Sequence, residues 1–200
     1  FIPCTSSMKS FNIQDQNKKY HLHFHKLAEN NDSKTSAELS VGGDFDRIGK
    51  IEFALLKKFG LKNHHSIIDV GCGTGFLLEL LDKRLSNCTL KGIDFSCPSS
   101  QKLKTNNDLN FIREDIYSFL VKLKSDSVDL VICAHVLEHL SNPESLIQEI
   151  RRVTKKSLIL ICPLEKPYKW GMNYHVQFFK NSKNFIDFIR NDQNISSSYS

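Results

Sequence analysis

The sequence predicts an α/β fold built on a doubly wound, mostly parallel sheet with helices on both faces. Short apolar runs of strand length alternate with helical patterns from residue 66 onward. These runs are mostly apolar, which is typical of parallel strands buried on both faces. A turn with three glycines joins the first run to an apolar helical pattern, as in sheets that bind ligands beyond the carboxyl ends of their strands.

The order of the elements follows from the same patterns. Residues 46–59 are predicted to form an amphipathic helix that has Asp46 as its cap, ends at Gly60 and covers one face of the sheet. Strands are predicted at Ser66–Val70, Thr89–Asp94, Leu109–Arg113, Ser127–Cys133 and Leu158–Cys162. Helices are predicted at 75–85, 98–105, 116–123, 143–153 with Asn142 as its cap, and about 185–189.

The chain divides into two parts by composition. Residues 1–40 are polar and weakly patterned, which predicts an N-terminal arm that is partly disordered or caps the domain formed by residues 41–200. Inside the arm, His21, His23 and His25 would share one face of a strand and could gather a metal. A surface segment is the favoured interpretation, because no cysteine or acidic residue lies beside them at a ligand-like spacing.

Composition limits the class of protein. At 200 residues, 40% hydrophobic and 24% charged, the chain is expected to be one soluble globular domain without a membrane span or a signal peptide. Its six cysteines form no CxxC pair, which favours reduced thiols and a cytoplasmic location. The net charge of +5 is scattered over lysines, so no nucleic-acid footprint is indicated.

The glycine turn reads Asp69-x-Gly71-x-Gly73-x-Gly75. Glycines in such a turn let a ligand lie against bare backbone at a helix N-terminus, which favours a nucleotide-like cofactor. Two cofactor classes compete for it. A nicotinamide dinucleotide would call for a third glycine at the position of Phe76. The Asp69 carboxylate would repel a pyrophosphate and instead suits a cofactor with positive charge, such as a sulfonium that carries an amino group.

Acidic residues also follow the second and third predicted strands. Asp94 lies where a carboxylate can accept two hydrogen bonds from a ribose diol. Asp115 lies where a carboxylate could accept from an adenine amino group, with the apolar Ile116 beside it. Because parallel strands end at one edge of the sheet, these side chains are expected to converge with the glycine turn.

Together, Asp69–Gly75, Gly92–Ser96 and the segment 128–140 resemble the class I S-adenosylmethionine-dependent methyltransferases, in the branch acting mostly on small molecules. The resemblance covers about residues 42–190 and implies a Rossmann-like sheet of seven strands with the last strand reversed. Few residues follow Ile189, so the last two strands are expected to be shortened or missing. The resemblance implies a cofactor site made of Asp69, Gly71, Cys72, Gly73, Gly75, Asp94, Phe95, Asp115, Ile116, Cys133 and His135.

Histidines supply the candidate catalytic groups. His135 and His139 are four residues apart and are expected to share a helical face. His139 and His175 are the candidates for a general base that deprotonates the acceptor, and packing under the cofactor or in an aromatic cluster is the alternative for each. Glu138 is expected to face solvent. No metal is predicted, because His135, Glu138 and His139 do not follow the HExxH order.

The predicted function is transfer of a methyl group from S-adenosylmethionine to an oxygen, nitrogen or carbon atom of a small-molecule acceptor. One alternative is a methyltransferase-like binding subunit without catalysis, which the intact glycine and acid set disfavours. The other is a nicotinamide-dependent oxidoreductase, which Phe76 and Asp69 disfavour. The expected partner is the small-molecule acceptor, with neither nucleic acid nor membrane.

Overall fold

The computed structural model describes residues 45–95, 107–167 and 175–196, with side chains described for 50–95, 107–167 and 175–190. The predicted arm 1–40 with its three histidines and the helix predicted at 98–105 lie outside these residues. Within them, no helix is long and apolar enough to cross a lipid bilayer.

Five strands and five α-helices make up the described chain. The strands are β1 (Ser66–Val70), β2 (Thr89–Ile93), β3 (Asp108–Ile112), β4 (Val128–Ala134) and β5 (Thr154–Ile161). The helices are α1 (Phe45–Lys58), α2 (Phe76–Asp82), α3 (Ile116–Leu120), α4 (Pro143–Val153) and α5 (Ser182–Ser196), and a 3-10 turn occupies Leu137–His139.

The strands form one parallel sheet in the order β3-β2-β1-β4-β5. The predicted doubly wound fold is therefore confirmed. The chain winds outward from β1 in one direction through β2 and β3, then returns to β1 and continues through β4 and β5. A crevice opens at such a switch point, beyond the carboxyl ends of β1 and β4, and ligands bind there in open α/β sheets.

Helices cover both faces of the sheet, as predicted. One core joins α1 and α2 to the sheet and includes Leu56, Leu78 and Leu81, each no more than 1% exposed. The other joins α3, α4 and α5 to the opposite face, where Ile147 and Ile150 are completely buried. Burial of a side chain of this size stabilises the fold by about 1.5–3 kcal/mol, so the sheet is held from both sides.

Helix α1 covers the sheet less completely than its apolar pattern predicted. Leu56 is buried, but Ile51, Leu55 and Phe59 are 51%, 36% and 54% exposed. The helix ends as expected, because Gly60 takes a positive φ of 98° and the Leu61 amide donates back to the Leu56 carbonyl.

The amino ends of β1 and β4 are joined by a reciprocal set of hydrogen bonds. The Ser66 amide and hydroxyl both donate to the Asp129 carboxylate at 3.0 Å, and the Asp129 amide donates to the Ser66 hydroxyl at 2.9 Å. Lys156 of β5 pairs with the same carboxylate at 2.8 Å. These bonds hold the pKa of Asp129 well below its usual range, with the Lys156 hydrogen bond the largest cause.

The carboxyl-terminal part differs from its prediction in the bounds of β5 and of α5, which runs from Ser182 to Ser196 rather than over about 185–189. Strand β5 begins at Thr154, four residues before the predicted Leu158, because α4 runs into the strand without a loop. Among the described residues the sheet has five strands rather than the seven of the family pattern. After β5, Leu164 and Phe179 form an isolated parallel bridge, and α5 follows.

Candidate functional site

The glycine turn lies between β1 and α2 and is tied to the end of β2. The amides of Gly71 and Cys72 both donate to the Ile93 carbonyl, at 2.8 and 3.2 Å. Gly71, Gly73 and Gly75 have φ values of 75°, 53° and 84°, a conformation that favours glycine. The predicted strand, turn and helix are therefore confirmed.

The three glycines have different surroundings. A Cβ atom on Gly71 would lie 2.2 Å from the Val136 side chain, and one on Gly75 would lie 2.3 Å from the Phe111 ring. A Cβ on Gly73 would meet no atom within 4 Å. Gly71 and Gly75 are thus required by packing as well as by φ, whereas Gly73 leaves bare backbone beside open space where a ligand can lie.

Cys72 contributes to the turn through its backbone. A Cβ atom on Gly92 would lie 2.7 Å from the Cys72 sulfur, so this side chain packs closely over β2. The thiol also borders the core on the α1 and α2 side. A contact between the Cys72 backbone and the cofactor therefore remains a prediction.

Three carboxylates converge on the glycine turn. Asp69 in β1 is only 4% exposed, and burial, then Glu52, then Asp94 raise its pKa to about 8. The Asp94 carboxylate accepts a hydrogen bond of 3.0 Å from the Gly73 amide. Because burial and the two neighbouring acids make the charge of Asp69 unfavourable, a positively charged ligand would stabilise that charge and a pyrophosphate would oppose it.

Glu52 is the member of this group that sequence reasoning missed. It lies on α1, and burial raises its pKa, while the nearby His135 acts in the opposite direction. A signal was present, because Glu52 precedes the buried Leu56 by one helical turn and shares its face. A charged residue on the buried face of an amphipathic helix is uncommon and indicates a partner.

Residues predicted to hold the nucleoside lie at the ends of β2 and β3. Phe95, directly after Asp94, is 41% exposed. Asp115 caps α3, since its side chain accepts a hydrogen bond of 2.8 Å from the Ser118 amide, and Ile116 begins that helix half-buried. The alternative of a capping role for Asp115 is thus observed, and its contact with adenine remains a prediction.

Cys133 and His135 follow each other closely at the end of β4 but differ in access. Cys133 is completely buried, and burial, Asp69 and Glu138 raise the pKa of its thiol. Its side chain therefore offers no surface to a ligand. The His135 side chain is 43% exposed, and the residue has a positive φ of 57°. The Glu138 carboxylate lies 3.4 Å from its ring and raises its pKa.

Two expectations about the segment after β4 are wrong. His135 and His139 do not share a helical face, because the only helical structure here is the short 3-10 turn Leu137–His139. Glu138 does not face solvent, since it is 1% exposed. The tight turn buries Leu137 and Glu138 together, whereas an α-helical pattern would have separated the apolar residue from the charged one.

The structure brings together the two catalytic candidates, which are distant in sequence. The rings of His139 and His175 have centroids 4.8 Å apart and planes inclined by 70°. The amides of Val176 and Gln177 donate to the Glu138 carbonyl at 2.7 and 3.0 Å, which fixes one segment on the other.

Comparison with known proteins agrees with this architecture. Residues 68–162 match the family model described as a methyltransferase domain. The chain is 27% identical over 135 residues to a ubiquinone biosynthesis O-methyltransferase of Hydrogenovibrio crunogenus, covering 64% of this chain and 54% of that protein. It is 26% identical over 108 residues to a malonyl-[acyl-carrier protein] O-methyltransferase of a Paenibacillus species, covering 51% of this chain and 39% of that protein. The chain thus spans about half the length of such relatives, or less.

A solved structure supports the fold. The S-adenosylmethionine-dependent methyltransferase of Aquifex aeolicus superposes with a TM-score of 0.56 at 22% identity, over 78% of this chain and 86% of that one. The matched residues 68–162 contain the glycine turn, Asp69, Asp94 and the segment after β4. The fold, the turn and the matched residues lead to one conclusion: residues 68–162 match a methyltransferase domain, and the chain has the fold of a solved S-adenosylmethionine-dependent methyltransferase.

Proposed function

We propose that this protein transfers a methyl group from S-adenosylmethionine to an oxygen, nitrogen or carbon atom of a small-molecule acceptor. The observation that carries the proposal is the group formed by Glu52, Asp69 and Asp94 around the bare backbone at Gly73. S-adenosylmethionine bears a sulfonium and an ammonium group, and both are attracted by buried carboxylates. The same group disfavours the negatively charged pyrophosphate of a nicotinamide cofactor.

Oxygen is the acceptor atom that we favour among the three. The relatives named above are both O-methyltransferases by name, one of ubiquinone biosynthesis and one acting on malonyl-[acyl-carrier protein]. Acceptor recognition belongs to the region beyond β4, where His139 and His175 lie against each other. The free thiols Cys88, Cys133 and Cys162 support a reducing, cytoplasmic setting.

The reaction is an in-line displacement in which the cofactor supplies both the methyl group and the leaving group. The protein's contribution is to hold the two reactants in line and to help remove the acceptor proton. His139 and His175 are the candidate general bases that accept this proton. His175 pairs through Nδ1 with the Glu165 carboxylate, an arrangement that orients an imidazole and fixes its tautomer.

Calorimetry with S-adenosylhomocysteine and, separately, NAD tests the cofactor assignment. We expect saturable binding of S-adenosylhomocysteine and none of NAD. Release of S-adenosylhomocysteine from S-adenosylmethionine is then followed with a panel of phenols, carboxylic acids and amines. Binding without turnover on any acceptor would favour the non-catalytic subunit, and tight NAD binding would overturn the proposal.

Replacement of the two histidines tests the proton-transfer step once an acceptor is known. General base catalysis contributes roughly a hundredfold or more, so turnover should fall by that order in His139→Ala or His175→Ala. S-adenosylhomocysteine affinity should change little in either variant. Undiminished turnover in both would show that neither histidine handles the proton.

A further inference from the structure

A compact group of metal-ligand side chains lies beyond the end of β4. The ligand atoms of Glu138, His139 and His175 all lie within 4.8 Å of one another. A zinc ion binds imidazole nitrogen and carboxylate oxygen at roughly 2.1 Å, so its ligand atoms lie up to about 4 Å apart. Small side-chain rotations would therefore bring these three atoms around one ion.

The surroundings of these ligands are those of a built site. Metal-bound histidines commonly donate their other ring nitrogen to a carboxylate, which orients the ring. His175 has this arrangement, because its Nδ1 pairs with Glu165 and its Nε2 is then the nitrogen that carries the lone pair. Glu138 is held between His135, at 3.4 Å, and the Cys162 thiol, which donates to its second oxygen at 3.4 Å.

Because the Glu138 carboxylate is buried, a nearby positive charge would stabilise it. Glu138 is 1% exposed, and a buried carboxylate is costly unless it is paired or coordinates a cation. Its described partners are an imidazole and a thiol, and no lysine or arginine pairs with it among residues 50–95, 107–167 and 175–190. Sequence order alone could not show this cluster, since His175 comes from a separate segment.

We propose that Glu138, His139 and His175 bind one divalent transition-metal ion. Two imidazoles and one carboxylate suit zinc and its neighbours, whereas magnesium and calcium prefer oxygen ligands alone. Glu165 is a positioning residue that orients His175. Three protein ligands leave at least one coordination position for another oxygen, as in catalytic metal sites.

The ion would act on the acceptor, a role that rests on the function proposed above. A hydroxyl bound to the ion loses its proton to solvent more readily, because the cation stabilises the resulting oxyanion. That oxygen then forms a bond to the methyl carbon. The bond from carbon to sulfur breaks, its electron pair stays on sulfur, and neutral-sulfur S-adenosylhomocysteine leaves. In this case the histidines hold the ion rather than take the proton.

Zinc titration of the metal-stripped full chain tests the site directly. We expect one equivalent of Zn²⁺ to bind, measured by competition with a chromophoric chelator. His139→Ala and His175→Ala should each weaken binding at least a hundredfold, and Glu165→Gln about 10- to 100-fold. Exposed His64, in the loop before β1, gives the matched control, and His64→Asn should leave Zn²⁺ affinity unchanged.

Two results would overturn the site. One is Zn²⁺ binding no tighter than in the His139→Ala variant, and the other is equal loss in the His64→Asn control. Circular dichroism and S-adenosylhomocysteine binding establish that each variant is folded. Methyl transfer by stripped protein at full rate would remove the ion's role and leave the proposed function intact. Zinc binding without S-adenosylhomocysteine binding would overturn the proposed function and leave the metal site intact.

Discussion

Asp69 and Asp129 lie on adjacent strands at opposite ends of the sheet, and their environments are opposite. Asp129, near the amino end of β4, is held as an anion by Ser66 and Lys156, and its pKa is lowered. Asp69, near the carboxyl end of β1, is buried beside Glu52 and Asp94, and its pKa rises to about 8. One end of the sheet thus satisfies its charge internally, whereas at the other end the charge of Asp69 is unfavourable until a positively charged ligand pairs with it.

The largest expected effect of breaking this contrast is on cofactor affinity. In Asp69→Asn the carboxylate that faces a cationic cofactor is lost, so affinity for S-adenosylmethionine should fall by roughly 30- to 1000-fold. The unfolding free energy of the cofactor-free protein should rise, because the cost of burying an acid beside Glu52 and Asp94 is removed. Calorimetry and urea denaturation measure the two quantities. Affinity within threefold of the wild type would refute the role of Asp69.

Two glycines of the turn should respond differently to replacement by alanine, one mainly in stability and the other mainly in cofactor affinity. Gly71→Ala places a Cβ atom against Val136 in a left-handed conformation and should lower the unfolding free energy by about 3 kcal/mol. Gly73→Ala adds a Cβ in open space and should lower it by only about 1 kcal/mol. Thermal denaturation and cofactor titration together separate the two. Cofactor affinity should fall in the folded Gly73→Ala variant, and an unchanged affinity would mean that the ligand does not lie there.

A substitution at the amino end of the sheet should lower the stability of the protein without changing its cofactor affinity. Asp129→Asn removes charge-assisted hydrogen bonds with Ser66 and Lys156, so unfolding free energy should fall by about 1–3 kcal/mol. Cofactor affinity should remain that of the wild type. A loss of affinity comparable to that of Asp69→Asn would show that the two ends are not separate in function.

The pH dependence of stability should have opposite signs at the two aspartates. The raised pKa of Asp69 means that the folded state binds more protons, so its contribution falls as pH rises from about 4 to about 8. The slope approaches roughly 1.4 kcal/mol per pH unit. The lowered pKa of Asp129 gives stability that is present above about pH 4 and is lost in more acidic solution. Urea denaturation of the wild type and of each Asn variant is followed from pH 3 to 8. The difference in unfolding free energy between wild type and variant measures each contribution.

A smaller effect is expected at Glu52, at the edge of the acidic group. Glu52→Gln removes one carboxylate that acts on Asp69, so cofactor affinity should fall about tenfold, or roughly 1.4 kcal/mol. The pKa of Asp69 should move down, because one repulsive neighbour is gone. Calorimetry in buffers of different ionisation enthalpy counts the protons released on cofactor binding. An unchanged proton count would exclude an interaction between the two acids.

Local patterns were sufficient to predict the sheet and the glycine turn. Most predicted strands are rich in apolar residues, and the turn needs residues that accept a positive φ, so short stretches of sequence specify both. The convergence of Asp69 and Asp94 could also be predicted, since parallel strands end at one edge of the sheet.

The missed features depend on contacts between distant segments. Glu138 is buried because a 3-10 turn follows β4, and helical periodicity does not predict how such a turn faces. Glu165 pairs with His175 only after the segment beyond β5 returns to the end of β4. The helical pattern places Glu52 on the buried face of α1, but its approach to Asp69 depends on where α1 packs, which no local pattern sets.

The hydrogen bonds between Ser66 and Asp129 have a consequence at the opposite edge of the sheet. They lock β1 and β4 in register, with Ile67 opposite Leu130 and Val70 opposite Cys133. A slip by one residue would displace the turn after β1 by about 3.3 Å relative to the segment after β4. Methyl transfer needs donor and acceptor aligned to well under that distance. Under the proposed function, a serine and an aspartate remote from both reactants thus set the spacing between the cofactor and the acceptor.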